Sequence, residues 1–181
     1  MASTLTVDNI VGVTTSNTVH LPGHVIQVVN AEKLDTASTN SLMPNWVDSG
    51  LTCTITPKFN NSKILVHVDA ALGNTTAVFN YMRVVRNVGG GSFSMISEAA
   101  TPGSRNAIHG MVYDADNEGI LETQSFTHLD SPATTSAVIY KVQLATSGGN
   151  YVYMGQTNRD TDAAAYDPRG SSRIVLQEIA Q

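Results

Sequence analysis

The chain has 181 residues, enough for one domain with a full core, and its 10 Lys and Arg against 15 Asp and Glu give a formal net charge of −5. No basic patch is visible, so we do not expect nucleic-acid binding, which depends on Lys and Arg contacts with phosphates. Only 14% of the residues are charged, well below the ~25% of typical globular domains, and so little charge repulsion favours a protein built into an assembly.

Targeting segments and disulfides are not predicted. No apolar run approaches the ~20 residues that a membrane-spanning helix needs, and the first residues are too polar for a signal peptide. We therefore expect the chain to be made in a cytoplasm without ordinary export. The single cysteine, Cys53, cannot form an intrachain disulfide. It falls on the apolar phase of a predicted strand, which predicts a buried thiol.

Residues 1–18 are predicted to form an extended arm rich in Thr, Ser and Asn. The segment is too short and too polar to bury a core of its own. It either becomes ordered on a partner or frays as a terminus. In a docking arm, the anchors would be the apolar residues Leu5, Val7, Ile10 and Val11.

Residues 19–181 are predicted to form one β domain, beginning with a strand over 24–29 and a polar connection over 30–43. The clearest unit is the stretch 45–72, where apolar and polar residues alternate in two runs, around 51–56 and 64–70. Alternation with period two places one set of side chains on a buried face. The connection 57–62 contains a proline and two asparagines, which favours a turn. We expect a β-hairpin here.

The same pattern continues to the end of the chain. Gly89, Gly90 and Gly91 predict a tight hairpin, and we expect the last strand to pair centrally with an early one. No convincing helix is visible. The natural solution is an all-β protein, an antiparallel jelly-roll-like β-sandwich with an extended N-terminal arm. The further predicted strands are 77–87, 92–97, 108–113, 120–129, 137–145, 151–154 and 172–179.

Two groups of residues resemble parts of metal sites. Asp114, Asp116 and Glu118 match the first half of a calcium loop, but its twelfth position is Ser125, where a bidentate Glu is expected, so a solvated turn is favoured. A second group is His20 and His24, which flank a Pro-Gly turn.

In a trimer, one such histidine per subunit could meet its copies on the threefold axis and suit a transition metal. No third ligand is evident within the chain, so ordinary surface or interface histidines are favoured. No metal or other cofactor is predicted.

Catalytic chemistry is not predicted. Asp160 and Asp162 could resemble an acid/base pair, but such a pair needs a shaped cleft that the sequence does not indicate. The serine elbow, zinc spacing and phosphate-binding glycine loop are all missing. Tyr151, Tyr153 and Tyr166 cluster in the last third of the sequence, where they suit either core packing or a glycan- or protein-binding surface.

Several segments share a recognisable architectural pattern: 3–10 (STLTVDNI), 21–29 (LPGHVIQVV), 48–51 (DSGL), 62–66 (SKILV) and 172–179 (SRIVLQEI). Together they resemble tail-fibre-like proteins of cyanophages and other marine bacteriophages. The resemblance implies a virion protein, usually homotrimeric, whose N-terminal segment attaches to the particle while a β-rich domain projects outward. This chain departs from the family in having no long shaft.

The sequence and the resemblance together predict a non-enzymatic virion protein, assembled in the host bacterial cytoplasm. We expect a short trimeric tail fibre that binds other virion proteins and contacts the host surface, with a surface glycan as one candidate receptor. The alternative is a capsid decoration or head or neck fibre protein; a polysaccharide-cleaving enzyme is disfavoured. The residues predicted to face outward are Arg105, Asn158, Arg159 and Tyr166.

Overall fold

The computed structural model describes residues 21–75, 77–113, 119–162 and 165–181. The predicted arm 1–18, with its anchors Leu5, Val7, Ile10 and Val11, lies outside these described residues.

The described residues contain eleven β-strands and no helix. The strands are β1 (Val25–Lys33), β2 (Ala37–Thr39), β3 (Val47–Ile55), β4 (Lys63–Asn74), β5 (Asn80–Val88), β6 (Ser94–Met95), β7 (Gly110–Val112), β8 (Leu121–Asp130), β9 (Val138–Thr146), β10 (Val152–Met154) and β11 (Ser172–Ile179). Accordingly, this part of the chain has no helix that is long and apolar enough to cross a membrane.

The strands form two sheets with antiparallel pairing throughout. In the first sheet the order is β1-β11-β4-β10-β2, and β8 also pairs with β4. In the second sheet the order is β3-β9-β5-β6, and β7 also pairs with β5. The sheets enclose one apolar core between them. The prediction of an all-β, antiparallel jelly-roll-like sandwich is therefore confirmed.

The strand β4 is the centre of the first sheet. One edge pairs with β8, while the other pairs first with β11 and then with β10. Its residues Ile64, Val66 and Val68 are fully buried and alternate with less buried neighbours, as period-two alternation predicted. Cys53 of β3 is a free, buried thiol with 5% exposure, which confirms its predicted place in the core.

Two further predictions about strand pairing are confirmed. The glycines Gly89 and Gly90 adopt positive φ angles of 58° and 82°, and the turn they form connects β5 to β6, where Val85 pairs with Met95. The final strand lies between β1 and β4. The end of the chain is thus held in the interior of the first sheet.

The predicted hairpin over 45–72 is wrong. β3 pairs with β9 in the second sheet, whereas β4 belongs to the first. The connection 56–62 therefore crosses from one sheet to the other. The alternation of side chains in both strands was predicted correctly, because each strand turns its apolar face to the same core. Alternation does not determine which neighbour a strand pairs with, and here the two strands belong to different sheets.

A buried carboxylate holds the crossing connection in place. Glu178 of β11 is fully buried, and its Oε1 accepts the backbone N–H groups of Lys58 at 2.7 Å and Phe59 at 3.2 Å. Its Oε2 accepts the side-chain amide of Gln27 at 2.6 Å, and that amide also donates to the Thr56 carbonyl at 2.8 Å. These bonds tie the connection to the first sheet.

A second buried carboxylate joins the two sheets. Asp130 at the end of β8 accepts from Arg86 of β5 at 2.6 Å and from the Tyr140 hydroxyl of β9 at 2.7 Å. Burial, together with this hydrogen bond to Asp130, raises the pKa of Tyr140, so the phenol stays protonated as the donor. Asp130 and Glu178 lie on either side of Ile64 in one cross-strand row.

Replacing Glu178 with Ala is expected to destabilise the fold by about 3 kcal/mol, because it leaves two backbone N–H groups of the crossing without an acceptor. Urea unfolding measures the loss. Glu178→Gln is the matched control: it keeps one acceptor oxygen and should lose only about 1 kcal/mol. An alanine variant as stable as the wild type would contradict the role assigned to this carboxylate.

Candidate functional site

The outer face of the first sheet carries a groove of about 590 Å³. Outward-pointing side chains of β1, β11, β4 and β8 line up there in rows, because the strand registers match across the sheet. The lining residues are Val28, Asn30, Glu32, Leu65, His67, Thr127, Arg173, Val175 and Gln177.

One row at this face is largely apolar. Val28, Gln177, Leu65 and Leu129 lie opposite one another across the four strands. Val28 is 56% exposed and Leu129 is 45% exposed. The two exposed apolar side chains thus lie at the two ends of this row, with Gln177 and Leu65 between them.

The row four positions away along β4 is charged and centred on Asp69. This carboxylate accepts from Arg173 Nη2 at 2.7 Å and from Ser125 Oγ at 2.6 Å, and its Oδ2 lies 3.3 Å from His67 Nε2. The hydrogen bond from Ser125, together with the Arg173 guanidinium and His67, holds the pKa of Asp69 below its ordinary value. The groove thus has an apolar end and an ion-paired end.

The polar network includes a hydroxyl, an imidazole and a carboxylate that lie next to one another in that order. Thr127 Oγ1 lies 2.8 Å from His67 Nδ1, and the other ring nitrogen faces Asp69. A nucleophilic site would also need backbone N–H donors aimed at a developing oxyanion. The N–H groups of β4 are used in the sheet, because β4 pairs along both edges, whereas Thr127 lies on β8, for which the described strand pairings include β4 only. This arrangement is suited to binding polar partners.

A second recess, of about 210 Å³, lies against the outer face of the second sheet. Arg83 of β5 is half-buried there, with its guanidinium carbon 4.5 Å from the centre of the Trp46 ring. Its Nε donates to Gln143 Oε1 at 2.9 Å. Burial lowers the pKa of Arg83, because removing water disfavours the cation.

The predicted outward residue Arg105 belongs to this recess. It lies in the connection between β6 and β7, it is exposed, and its Nη1 donates to the Pro102 carbonyl at 2.8 Å. Sequence reasoning missed Trp46 and Arg83 as site residues, since only the fold brings them to Arg105. The lining residues are Pro44, Trp46, Arg83, Met95, Glu98, Thr101, Arg105, Asn106 and Ala107.

The other predicted outward residues lie in the connection between β10 and β11. Arg159 donates to Asp167 Oδ1 at 3.0 Å, and its guanidinium carbon is 5.9 Å from the centre of the Tyr166 ring. Tyr166 is 68% exposed and Asn158 is half-buried. Hydrogen bonds from Thr161 and then from Thr157 and Arg159 lower the pKa of Asp167, so this carboxylate organises the loop.

The grouping of Arg105 with Asn158, Arg159 and Tyr166 in one outward surface stays a prediction. Arg105 follows a strand of the second sheet, whereas the other three follow a strand of the first. The position of a connection depends on its flanking strands, and the sequence does not specify to which sheet those strands belong. Asp160 in this loop is paired with Arg169 at 2.7 Å.

The predicted metal residues are only partly described. His24 is an exposed residue in the turn before β1, where its backbone N–H donates to the Leu21 carbonyl at 3.0 Å. His20, Asp114, Asp116 and Glu118 lie outside the described residues. Within the described ranges, no group of three or more His, Cys, Asp or Glu residues could hold a metal ion.

An aromatic patch covers part of the outer face of the second sheet. The ring of Phe79 stacks on that of Tyr113 at 4.4 Å and on that of Tyr81 at 6.5 Å. Phe79 and Tyr113 are both exposed. Each outer face of the sandwich therefore presents apolar side chains to solvent.

A half-buried histidine bonds to the edge of β5 in the second sheet. β7 pairs with β5 at Asn80–Met82 and β6 pairs with it at Val85–Arg86, which leaves a gap. His109 fills the gap: its Nδ1 accepts the N–H of Val84 at 2.8 Å, and its ring lies 4.0 Å from the Phe126 ring. Accepting this bond requires a neutral imidazole.

Searches for related proteins returned no matching family model and no matching curated protein. Among solved structures, the chain is similar to the VP2 subviral particle of infectious bursal disease virus, with 8% identity, TM-score 0.42, and coverage of 86% of this chain and 38% of that one. A structure of the Gt strain of the same virus gives 9% identity, TM-score 0.45, and coverage of 99% and 43%. The chain thus spans less than half the length of either.

Lowering the pH from about 7.5 to about 5.5 is expected to destabilise the fold through His109. Burial is the main cause of its lowered pKa, and the nearby His128 and Arg83 add to it. The unfolded chain takes up the proton first, near the ordinary value of 6.5, so the stability present above that pH is lost as the pH falls toward the folded-state value. Urea unfolding at the two pH values measures this.

The control for this pH effect is a pair of variants. His109→Gln should reduce the pH dependence of the free energy of unfolding, because the amide does not titrate. His24→Gln, at an exposed histidine, should leave the dependence unchanged. Equal pH dependence in the wild type and His109→Gln would rule out His109 as the cause.

Proposed function

We propose that this protein is a non-enzymatic structural component of a bacteriophage virion. In this proposal it is a short trimeric tail fibre that is attached to the particle by residues 1–18. The β-sandwich projects from the particle and contacts the host surface.

The observation that carries the proposal is the apolar character of both outer faces. Val28 and Leu129 are exposed on the first sheet, and Phe79 and Tyr113 are exposed on the second. With only 14% charged residues in the chain, little repulsion opposes contact between these faces and other subunits. Covering them would remove apolar area from water, which stabilises an assembly.

The phage resemblance of the sequence is consistent with this architecture. Segment 21–29 includes most of β1, segment 62–66 begins β4, and segment 172–179 is β11. These three strands are consecutive in the first sheet, in the order β1-β11-β4. These three of the five family-like segments thus lie side by side in the sheet that carries the groove.

The ion pairs support a binding role over a catalytic one. Asp69 is engaged by Arg173 and Ser125, and Asp160 is engaged by Arg169. A general acid needs a carboxyl group with a raised pKa. The pKa of Asp69 is lowered instead.

The groove also favours a second candidate role, a capsid decoration or head or neck fibre protein. Its apolar row, exposed at Val28 and Leu129, is suited to lying flat against another virion protein. The fold and the assembly by apolar faces would be the same in both roles. They differ in where the chain is attached and in whether it touches the host.

Deleting residues 1–18 is expected to leave a folded trimer that no longer joins virions, because the sandwich holds its own core while the arm supplies the attachment. Circular dichroism and analytical ultracentrifugation check folding and oligomeric state, and immunoblotting of purified particles checks incorporation. If the truncated chain is still incorporated, the arm is not the anchor. If the full-length chain is monomeric, the trimer is wrong.

The position of the full-length chain on the particle separates the two roles. Antibody labelling at the tail, with loss of host adsorption when the protein is omitted, is the result expected for the fibre. Labelling over the capsid, with loss of head stability and normal adsorption, would favour decoration and contradict the fibre.

A further inference from the structure

The recess against the second sheet brings together two guanidinium groups and the only tryptophan of the chain. Arg83 and Trp46 come from β5 and from the segment before β3, while Arg105 comes from the connection between β6 and β7. The two cations thus reach one small cavity of about 210 Å³ from different elements.

Arg83 is held in place without a carboxylate in contact with it. The Trp46 ring supports its guanidinium face, and Gln143 accepts from its Nε. The described ion pairs do not include Arg83. Two carboxylates act on it at longer range: Glu98, which lines the same recess, and Asp48, which is paired with Lys141. The lowered pKa of Arg83 is consistent with a half-buried cation whose charge is only partly compensated.

Arg105 adds a second cation, whose guanidinium is held by a hydrogen bond at one nitrogen. One of its nitrogens is bonded to the Pro102 carbonyl, and it too takes part in none of the described ion pairs. Guanidinium groups present paired N–H donors that match the two oxygens of a carboxylate. Two of them lining one recess favour a carboxylate-bearing ligand.

The remaining lining residues indicate what the carboxylate is attached to. Thr101 and Asn106 add a hydroxyl and an amide, which can both donate and accept. Glu98 adds a carboxylate, which accepts hydrogen bonds from hydroxyl groups and repels a doubly charged phosphate more strongly than a singly charged carboxylate. A ring carrying one carboxylate and several hydroxyls satisfies all of these groups.

We infer that this recess binds one carboxylated sugar unit of an acidic saccharide, with the carboxylate between Arg83 and Arg105 and the sugar hydroxyls toward Thr101, Asn106 and Glu98. This inference deepens the proposed contact with the host surface and rests on that proposal for its biological meaning. It moves the contact from the loop of Arg159 and Tyr166 to the outer face of the second sheet.

Trp46 provides a direct probe, because no other tryptophan contributes to the fluorescence of the chain. The full-length protein is titrated with sodium glucuronate and, separately, with glucose, which has the same ring without the carboxylate. Glucuronate is expected to change the Trp46 emission saturably. Glucose should bind at least roughly tenfold more weakly, because it lacks the carboxylate, and a charge-assisted hydrogen bond contributes about a factor of ten in affinity.

Variants of Arg105 test the site without disturbing the stacked Arg83. Arg105→Gln should weaken glucuronate binding roughly tenfold, and Arg105→Lys should weaken it less, because lysine keeps the charge without the paired donors. Arg159→Gln is the matched control: it removes a partly exposed arginine from the other loop and should leave glucuronate binding unchanged. Circular dichroism confirms that each variant is folded.

Three results would overturn the inference: no saturable response to glucuronate, equal binding of glucose, or unchanged binding by Arg105→Gln. Inorganic phosphate binding as tightly as glucuronate would overturn the assignment to a sugar. The measurement uses purified protein, so its failure leaves the virion role standing. Conversely, glucuronate binding by a chain that is found on the capsid would overturn the fibre role and retain the site.

Discussion

Two buried carboxylates set the arrangement of the sandwich. Glu178 and Asp130 flank Ile64 in one row across the first sheet, where each carboxylate is buried. A buried charge is tolerated only when hydrogen bonds satisfy it. Asp130 obtains its partners, Arg86 and Tyr140, from the second sheet, and Glu178 obtains its own from the connection that crosses between the sheets. The same row therefore joins the sheets and directs the chain from one to the other.

The outer faces follow from this enclosed core. The inward-pointing side chains of both sheets are buried in the core. Recognition therefore depends on the outward-pointing side chains and on the connections between strands. On the first sheet these form a groove with an apolar end and an ion-paired end around Asp69. On the second they form the aromatic patch around Phe79 and the recess with Trp46 and Arg83. Both outer faces thus carry exposed apolar side chains, on which the proposed assembly role rests.

The wrong predictions share one cause. The hairpin over 45–72 was wrong because alternation in β3 and β4 specifies a buried face and not a neighbour. The polar connection predicted over 30–43 is partly strand, since β1 continues to Lys33. There, Asn30 and Glu32 are polar because they point outward, while Ala31 packs against the core. A polar outer face and a loop have similar composition, and only the pairing with β11 distinguishes them.

The sequence by itself determined the class of fold and the buried side chains, including Ile64, Val66 and Cys53, because alternation along a strand is a local property of the backbone. Only the tertiary structure decided which strands pair and which side chains meet. The contact of Asp69 with Arg173 joins residues 104 positions apart, and the recess brings Arg105 beside Trp46 and Arg83. Such contacts depend on how the two sheets pack together, and a local sequence pattern does not specify that packing.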